Sequence, residues 1–321
     1  TYYSDLIAAG YTTNLGLMSI LAGQSLTMSI IPRRVFSGTW GLSDTLPKGL
    51  KRHGYHSAFL TSGDLAFTRK GSWLADIGFD YLEGHDYPGY QGVKRFHFRS
   101  VPDHLLYQRS LEYLDEAPKD KPLFLTIESV STHQPFMHPQ TRERDIEAVF
   151  RYMDDTVFEY YEGLAQRGFF EHGILLIVSD HRSMTPIFPE EQAALGRKAA
   201  SLVPMILING PGPGVRIDAP VHQADIAPSL MALAGESVCP GEASIWPGAP
   251  RAERCRYHVR GDQRDLVDVF CNDGEGTVTL AGDESRFVNS EQLNESRQLQ
   301  ILDDIARIRL LAQQQDDAFT E

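Results

Sequence analysis

The sequence is poor in cysteine and has no long apolar run, and both absences narrow the class of protein. Its 321 residues include three cysteines, Cys239, Cys255 and Cys271, which are too few for a disulfide framework and match no zinc motif. One bridge, for instance between Cys239 and Cys255, is compatible with an oxidising compartment. No apolar stretch reaches the roughly 20 residues that a membrane helix requires. We therefore expect a globular domain with at most one disulfide.

The chain also lacks an excess of positive charge. It carries 30 Lys and Arg against 43 Asp and Glu, which gives a formal net charge of −13. This balance excludes a nucleic-acid backbone as the main partner, because phosphate backbones require a basic face. A phosphate ester bound in one local pocket remains compatible with it.

The N-terminus carries neither an initiator methionine nor a signal peptide. We expect the chain to be a piece of a longer protein, with an upstream segment that determines its location. No internal repeat or low-complexity tract interrupts the sequence.

Strand-like and helix-like segments alternate through most of the chain. The predicted strands are 55–61, 122–130, 174–179 and 204–208, and the predicted helices are 43–53, 102–116, 145–167 and 224–234. This alternation predicts an α/β fold with a mainly parallel sheet sandwiched between helices. We expect three parts: a catalytic core at 1–240, a small antiparallel β subdomain at 241–290, and an amphipathic helix with a tail at 291–321.

Asp180 and His181 directly follow the apolar strand 174–179. Ligands of open α/β sheets gather at the carboxyl ends of strands, and adjacent oxygen and nitrogen donors suit Zn²⁺ or Mn²⁺. The alternative interpretation is a polar turn after a strand. The dipeptide alone does not decide between the two.

Thr12 and Thr13 precede an apolar helical stretch. A hydroxyl at a helix start is usually an N-cap, but the same geometry presents an oxygen among free backbone N–H groups to an anion. A metal beside that hydroxyl would make it a nucleophile. On this segment alone, capping is the favoured interpretation.

Other polar residues also follow predicted strands or precede predicted helices. His133 lies past the end of strand 122–130 and becomes a candidate ligand, acid or phosphate contact if it shares an edge with Asp180. Arg95, His97 and Arg99 form a basic run that suits an anionic head group, although surface charge is the default interpretation. His222 opens a helix and has either a structural or a substrate-binding role.

Four motifs in this order resemble a known family. They are a threonine near a helix start, Ser-Thr-His-Gln-Pro-Phe at 131–136, Ser-Asp-His at 179–181, and His-Gln-Ala-Asp-Ile-Ala-Pro-Ser-Leu at 222–230. The pattern resembles the catalytic domain of lipoteichoic acid synthase-type phosphoglycerol transferases, in the sulfatase and alkaline phosphatase superfamily, over most of residues 1–290. By this resemblance, residues 2–7 form the helix that follows the first strand of the family.

The resemblance implies a role for several residues. Thr13 matches the nucleophilic threonine, which also contacts the metal, with Thr12 as the alternative if the register shifts by one. Asp180 and His181 match metal ligands, and His133 matches a phosphate contact. Substrate contacts are expected from His97, Arg99, Arg182 and His222. The implied cofactor is a divalent ion, Mn²⁺ first and Mg²⁺ or Zn²⁺ as alternatives.

Three departures from the family pattern affect the site. The first strand of the family ends in a glutamate ligand, and no residue upstream of Thr1 supplies it, so a first strand is expected to be missing. Arg182 stands where relatives carry a small residue and could itself hold a phosphate. Thr12 stands where many relatives carry a basic residue. The Cys-x-Pro-x-Arg signature of sulfatases is also absent, which argues against sulfate ester hydrolysis.

The predicted function is metal-dependent transfer of a phosphoglycerol-type or phosphoethanolamine-type group from a phospholipid head group to a glycan, through a phospho-threonine. The alternatives are a phosphodiesterase or phosphatase on the same fold, and a non-catalytic sulfatase-like binding domain. The resemblance places the domain on the outer face of a bacterial cytoplasmic membrane, tethered by an upstream segment.

Overall fold

The computed structural model describes residues 1–26, 42, 44–237, 244–249, 254–261, 263, 265–281 and 284–317. In chain order, the strands within these residues are β1 Tyr2–Ile7, β2 His56–Thr61, β3 Tyr81–Glu83, β4 Leu123–Glu128, β5 Leu175–Val178, β6 Leu202–Ile208, β7 Arg216–Ile217, β8 Val221–His222, β9 Arg256–Val259, β10 Leu266–Cys271, β11 Gly274–Ala281 and β12 Glu284–Glu291. The α-helices are α1 Thr13–Ala22, α2 Leu46–Arg52, α3 Lys70–Asp76, α4 Asp103–Glu116, α5 Ile146–Gln166, α6 Pro189–Leu195, α7 Ile226–Leu233 and α8 Glu295–Asp317. The predicted alternation of strands and helices is confirmed.

The chain divides into two compact units. Unit 1 comprises Thr1–Leu46 and Leu175–Glu321, and unit 2 comprises Pro47–Ile174. The predicted division at residues 240 and 290 stays a prediction.

Unit 1 contains a five-stranded sheet in the order β5-β6-β1-β7, with β8 also paired to β1. β6 runs antiparallel to β1 and β5, whereas β7 and β8 run parallel to β1. The sheet is therefore mixed rather than mainly parallel. β5 is its outermost strand among the described residues, and all four of its apolar residues are half-buried.

The prediction of a helix at residues 2–7 is wrong, since these residues form β1. Tyr3, Leu6 and Ile7 are buried. Their spacing of three and four residues resembles one face of a helix. The register of β1 against β6 shifts between Tyr3 and Leu6, and this irregularity breaks the alternation that would have indicated a strand. The expectation of a missing strand upstream of Thr1 stays a prediction.

The C-terminal part of unit 1 contains the expected antiparallel sheet, in the order β12-β11-β10-β9. Asn272 and Asp273 form the tight turn between β10 and β11. Cys255 is bonded to Cys271, which lies opposite it across the β9–β10 pair. This bond replaces the proposed pairing with Cys239, a residue outside the described part of the chain. Ile301 and Ile305 of α8 are buried in the apolar cluster beneath this sheet.

Unit 2 contains a parallel three-stranded sheet in the order β3-β2-β4. Ala58 and Leu60 of β2 pack with Leu106 and Tyr113 of α4 in its apolar cluster. Because β2 and β4 run in the same direction, their carboxyl ends lie at the same edge of this sheet. The loops that carry the polar residues of unit 2 begin at that edge.

His222 gives a test of the core of unit 1. Burial, together with the nearby charges of Arg254 and Arg256, lowers the pKa of His222 to about 3, although the hydrogen bond to the Tyr257 carbonyl opposes the shift. The folded state therefore holds a neutral ring, whereas the unfolded chain takes up a proton below its usual pKa of 6.5. Stability is complete above that value and falls as the pH drops toward 3. The loss attributable to this ring is about 2 kcal/mol between pH 7 and pH 5.

Urea unfolding of the wild type and of His222→Asn at pH 7, 6 and 5 measures this effect. Asparagine can still cap the backbone N–H of Ala224 but takes up no proton, so the variant should be less stable at pH 7 and lose less on acidification. Equal losses in both proteins would contradict the assignment.

Candidate functional site

The helix α1 begins immediately after the carboxyl end of β1. Thr12 is its N-cap residue, with φ −128° and ψ 151°, and its side chain makes no capping hydrogen bond to the described residues. Thr13 is the first helical residue, at the end where backbone N–H groups lack helical partners. The capping interpretation of the Thr12 hydroxyl is therefore wrong, and the Thr13 hydroxyl lies where the helix start favours anions.

Asp180 and His181 lie just past the end of β5, as predicted. The Nε2 atom of His181 is 3.5 Å from the Thr13 hydroxyl oxygen and 3.5 Å from Oδ2 of Asp180. These three side chains, which we call the unit 1 site, come from two segments 167 residues or more apart in the sequence. The structure therefore brings together the three residues that were predicted to surround one cation.

Hydrogen bonds fix the orientation of both polar groups in the unit 1 site. Nδ1 of His181 lies 2.7 Å from the carbonyl oxygen of Arg182. A carbonyl only accepts, so Nδ1 carries the proton and the lone pair of Nε2 faces the site. The backbone N–H of His181 donates to Oδ1 of Asp180 at 2.8 Å. Oδ2 is the carboxylate oxygen that faces the imidazole.

Close packing supports this arrangement from the α1 side. A Cβ atom on Gly16 would lie 2.1 Å from the carbonyl oxygen of Asp180 and 2.6 Å from its carbonyl carbon. The backbone of α1 therefore contacts the backbone of Asp180 directly, which only glycine permits. On another side, the buried Gln223 amide donates to the carbonyls of Ser179 and Asp180 at 2.8 Å each.

The sequence interpretation missed both supporting residues. Gly16 was given no role there, and Gln223 stands only as the second residue of the motif at 222–230. Glycine inside an apolar helix was the available signal for a close backbone approach.

Arg182 and His222 make contacts within the protein. The Arg182 guanidinium forms a two-point ion pair with Glu191, at 2.9 and 2.6 Å, and donates to the carbonyls of Ser183 and Thr185. Arg182 in turn lowers the pKa of Glu191. His222 is buried, and its ring nitrogens lie 3.1 Å from the Ala224 N–H and 2.9 Å from the Tyr257 carbonyl. Both residues have structural contacts, and the substrate-binding roles expected of them stay predictions.

In unit 2, the loop after β4 carries His133. Its Nδ1 lies 2.7 Å from the carbonyl oxygen of Gln134, which leaves Nε2 as the other ring nitrogen for contacts outside the loop. The fully buried Asp103 carboxylate holds this loop by accepting from the backbone N–H groups of Val130 and Ser131, at 3.0 and 2.7 Å. Burial raises the pKa of Asp103, while these hydrogen bonds oppose the shift. Asp103 is a further supporting residue that the sequence interpretation missed.

His97 lies beside His133, with their ring centroids 6.2 Å apart, and the Phe98 ring contacts His133 edge-on at 4.8 Å. Burial lowers the pKa of His97, and the neighbouring His133 lowers it further. Arg99 is exposed, and its guanidinium lies 3.6 Å from Asp64. Phe98 and Arg99 both have positive φ, 51° and 61°, a strained conformation that clusters at functional sites. We call His97, Arg99 and His133 the unit 2 cluster.

No group of three or more His, Cys, Asp and Glu side chains among the described residues is arranged to hold a metal ion. None of the helices in this part of the chain combines the length and the apolarity needed to cross a membrane.

Solved structures share this fold. A protein of the alkaline phosphatase superfamily from Vibrio parahaemolyticus is 15% identical, with a TM-score of 0.73, and the alignment covers 98% of this chain and 78% of that one. The lipoteichoic acid synthase LtaP from Listeria monocytogenes is 16% identical, with a TM-score of 0.72, covering 98% and 83%. The phosphonate monoester hydrolase SpPMH from Silicibacter pomeroyi is 12% identical, with a TM-score of 0.61, covering 96% and 87%.

These neighbours confirm the α/β fold of the alkaline phosphatase superfamily. A search of curated proteins gave no match. The sulfatase family model matches residues 1–236, about three quarters of the sequence. The chain therefore belongs to the sulfatase family.

Proposed function

We propose that this chain transfers a phosphoglycerol-type or phosphoethanolamine-type group from a phospholipid head group to a glycan hydroxyl, with Thr13 as nucleophile. One observation carries the proposal: the Thr13 hydroxyl and the Asp180 carboxylate lie at equal distance from the His181 Nε2 atom. No cysteine lies near this helix start, since all three follow residue 238, and the Cys-x-Pro-x-Arg signature of sulfatases is absent from the sequence.

The donors of the unit 1 site fit a divalent cation. Oδ2 of Asp180, Nε2 of His181 and the Thr13 oxygen would hold Mn²⁺, or Mg²⁺ or Zn²⁺, and the His181 tautomer suits this role because its Nε2 lone pair faces the other donors. Such an ion, when bound, lowers the pKa of a neighbouring hydroxyl and neutralises phosphate charge. The glutamate ligand of the family would come from the strand expected upstream of Thr1.

In the proposed reaction, the Thr13 oxygen forms a bond to phosphorus, and the bond between phosphorus and the diacylglycerol oxygen breaks. The Thr13 hydroxyl releases its proton to solvent, and the departing diacylglycerol oxygen takes up one proton in return. The acceptor hydroxyl then attacks the phospho-threonine, loses its proton and restores the Thr13 hydroxyl. We propose that His133 contacts a phosphate oxygen through Nε2.

The Cys255–Cys271 bond supports the proposed location outside the cytoplasm, since such bonds persist in oxidising compartments. The membrane contact would come through an upstream segment. The main alternative is a hydrolase that passes the group to water, as the phosphonate monoester hydrolase neighbour illustrates for the shared fold. The remaining alternative is a non-catalytic binding domain.

Product analysis separates these functions. The protein is incubated with Mn²⁺ and vesicles that contain head-group-labelled phosphatidylglycerol or phosphatidylethanolamine, with and without a glycan acceptor. We expect labelled glycan and diacylglycerol when the acceptor is present. Released glycerol phosphate or ethanolamine phosphate in both arms would identify a hydrolase, and no turnover in either arm would favour the binding domain.

The Thr13→Ala variant tests the nucleophile. We expect turnover to fall by about a thousandfold or more, because the attacking oxygen is removed, while the melting temperature changes little. The control is Thr12→Ala, one residue earlier, which should retain most of the activity. Full activity in the Thr13 variant, or the reverse ranking of the two variants, would contradict the assignment of Thr13 as the nucleophile.

The Gly16→Ala variant tests the close approach of α1 to Asp180. Alanine is the better helix former by roughly 0.5–1 kcal/mol, so helix propensity alone predicts a more stable protein. The added Cβ instead meets the Asp180 backbone and should displace the carboxylate, weakening Mn²⁺ binding by about tenfold or more.

Gly163→Ala is the matched control, because it adds the same atom inside α5 of unit 2. There the new Cβ meets the mobile end of the Leu111 side chain rather than backbone. Calorimetric titration with Mn²⁺ should show a normal affinity for this control. Equal Mn²⁺ affinities in the two variants would show that the Gly16 contact does not position the Asp180 carboxylate.

A further inference from the structure

The Gln223 side chain is fully buried and joins two backbone segments. Its Nε2 donates to the carbonyl oxygens of Ser179 and Asp180, each at 2.8 Å. Its Oε1 accepts from the backbone N–H of Ala9 at 2.9 Å. Both N–H donors of the amide are thereby used, which identifies the orientation of the amide without ambiguity.

These segments carry the two halves of the unit 1 site. Ser179 and Asp180 follow β5 directly and lead into His181, whereas Ala9 lies between β1 and the helix start at Thr13. Asp180 lies beyond the end of β5, so its carbonyl is outside the hydrogen-bonded strand pair and accepts a hydrogen bond from the Gln223 amide. A buried carbonyl without such a donor costs about 1–3 kcal/mol, so this amide holds the segment firmly.

We propose that Gln223 is a positioning residue for the metal site. Its amide sets the separation between the segment that carries Thr13 and the segment that carries Asp180 and His181. The inference rests on the proposed function, because it assumes that these side chains hold a divalent ion. It adds a role that the motif alone did not assign, and the residue acts through backbone without contacting the substrate.

If the Gln223 amide were purely structural, its removal would lower the stability of the protein without a specific effect on metal affinity. Ser229 offers the matched comparison within unit 1: it is buried on α7, donates to the carbonyl of Asp225 at 2.5 Å and accepts from the N–H of Ile245 at 3.0 Å. Its hydrogen bonds join backbone that carries none of the three site residues. Ser229→Ala therefore removes buried hydrogen bonds while sparing the unit 1 site.

The experiment compares Gln223→Met, Gln223→Glu and Ser229→Ala with the wild type. Methionine keeps the volume and removes every hydrogen bond, whereas a buried protonated glutamic acid keeps one donor and one acceptor. Calorimetric titration with Mn²⁺ alone measures affinity, the visible spectrum of added Co²⁺ reports ligand geometry, and thermal melting reports the fold. We expect Mn²⁺ binding to weaken by about 10–100-fold in the methionine variant and by less in the glutamate variant. Ser229→Ala should melt earlier with unchanged affinity and spectrum.

The outcomes separate the two proposals. A wild type that binds no Mn²⁺ would remove the proposed function together with this inference. If the wild type binds Mn²⁺ and a folded Gln223 variant binds it with an affinity within a factor of about three of the wild type, only this inference is contradicted. If Gln223→Met does not fold, Gln223→Glu decides. Loss of the fold in both variants also counts against the inference, since the amide would then support the whole unit rather than the site.

Discussion

The contact between the backbones of Gly16 and Asp180 is the constraint on which the unit 1 site depends. Side chains normally keep a helix and a neighbouring strand end further apart than these two backbones are. The missing Cβ at Gly16 permits the close approach, and the Gln223 amide donates to the carbonyl oxygen of the same residue, Asp180. Asp180 is thus held through its backbone, so that Oδ2 of its carboxylate can face His181 Nε2. If other side chains held the carboxylate itself, Oδ2 would be occupied by those contacts.

In unit 2, as in unit 1, a buried polar side chain holds the backbone near a candidate site residue. The loop with His133 is anchored through its backbone by the buried Asp103, and the imidazole is oriented by the carbonyl of the next residue. In both units a buried polar side chain holds peptide groups, and a local carbonyl sets which ring nitrogen of a histidine is protonated. Burying Asp103 is costly for the charged form, and the two N–H donors offset part of that cost. Such an arrangement favours a single loop conformation.

The sequence predicted the parts of the fold in which local pattern and tertiary packing agree. The Leu175–Val178 strand and the long α5 helix have one dominant periodicity, and both were found within a residue or two. β1 was misread because the family resemblance placed a helix at residues 2–7, and the irregular pairing of β1 breaks the alternation that would have indicated a strand. Asp180 and His181 were singled out by the rule that ligands gather at strand ends. Thr13 lies at a helix start and became a candidate only through the family resemblance. The support from Gly16, Gln223 and Asp103 depends on contacts between segments distant in sequence, and no local pattern records those.

Charge balance supports the proposal of a cation at the unit 1 site. Two of the arginines expected to meet an anionic substrate already face acids: Arg182 is paired with Glu191, and Arg99 lies near Asp64. The net charge of −13 makes the surroundings unfavourable to a phosphodiester. In the proposed function, attraction for such a substrate would come from a divalent ion and from the N–H groups at the start of α1. Because a threonine hydroxyl is a weak nucleophile at neutral pH, the same ion would also activate the proposed attacking oxygen. The placement of Thr13 against Asp180 and His181 would meet both requirements of the proposal at one position.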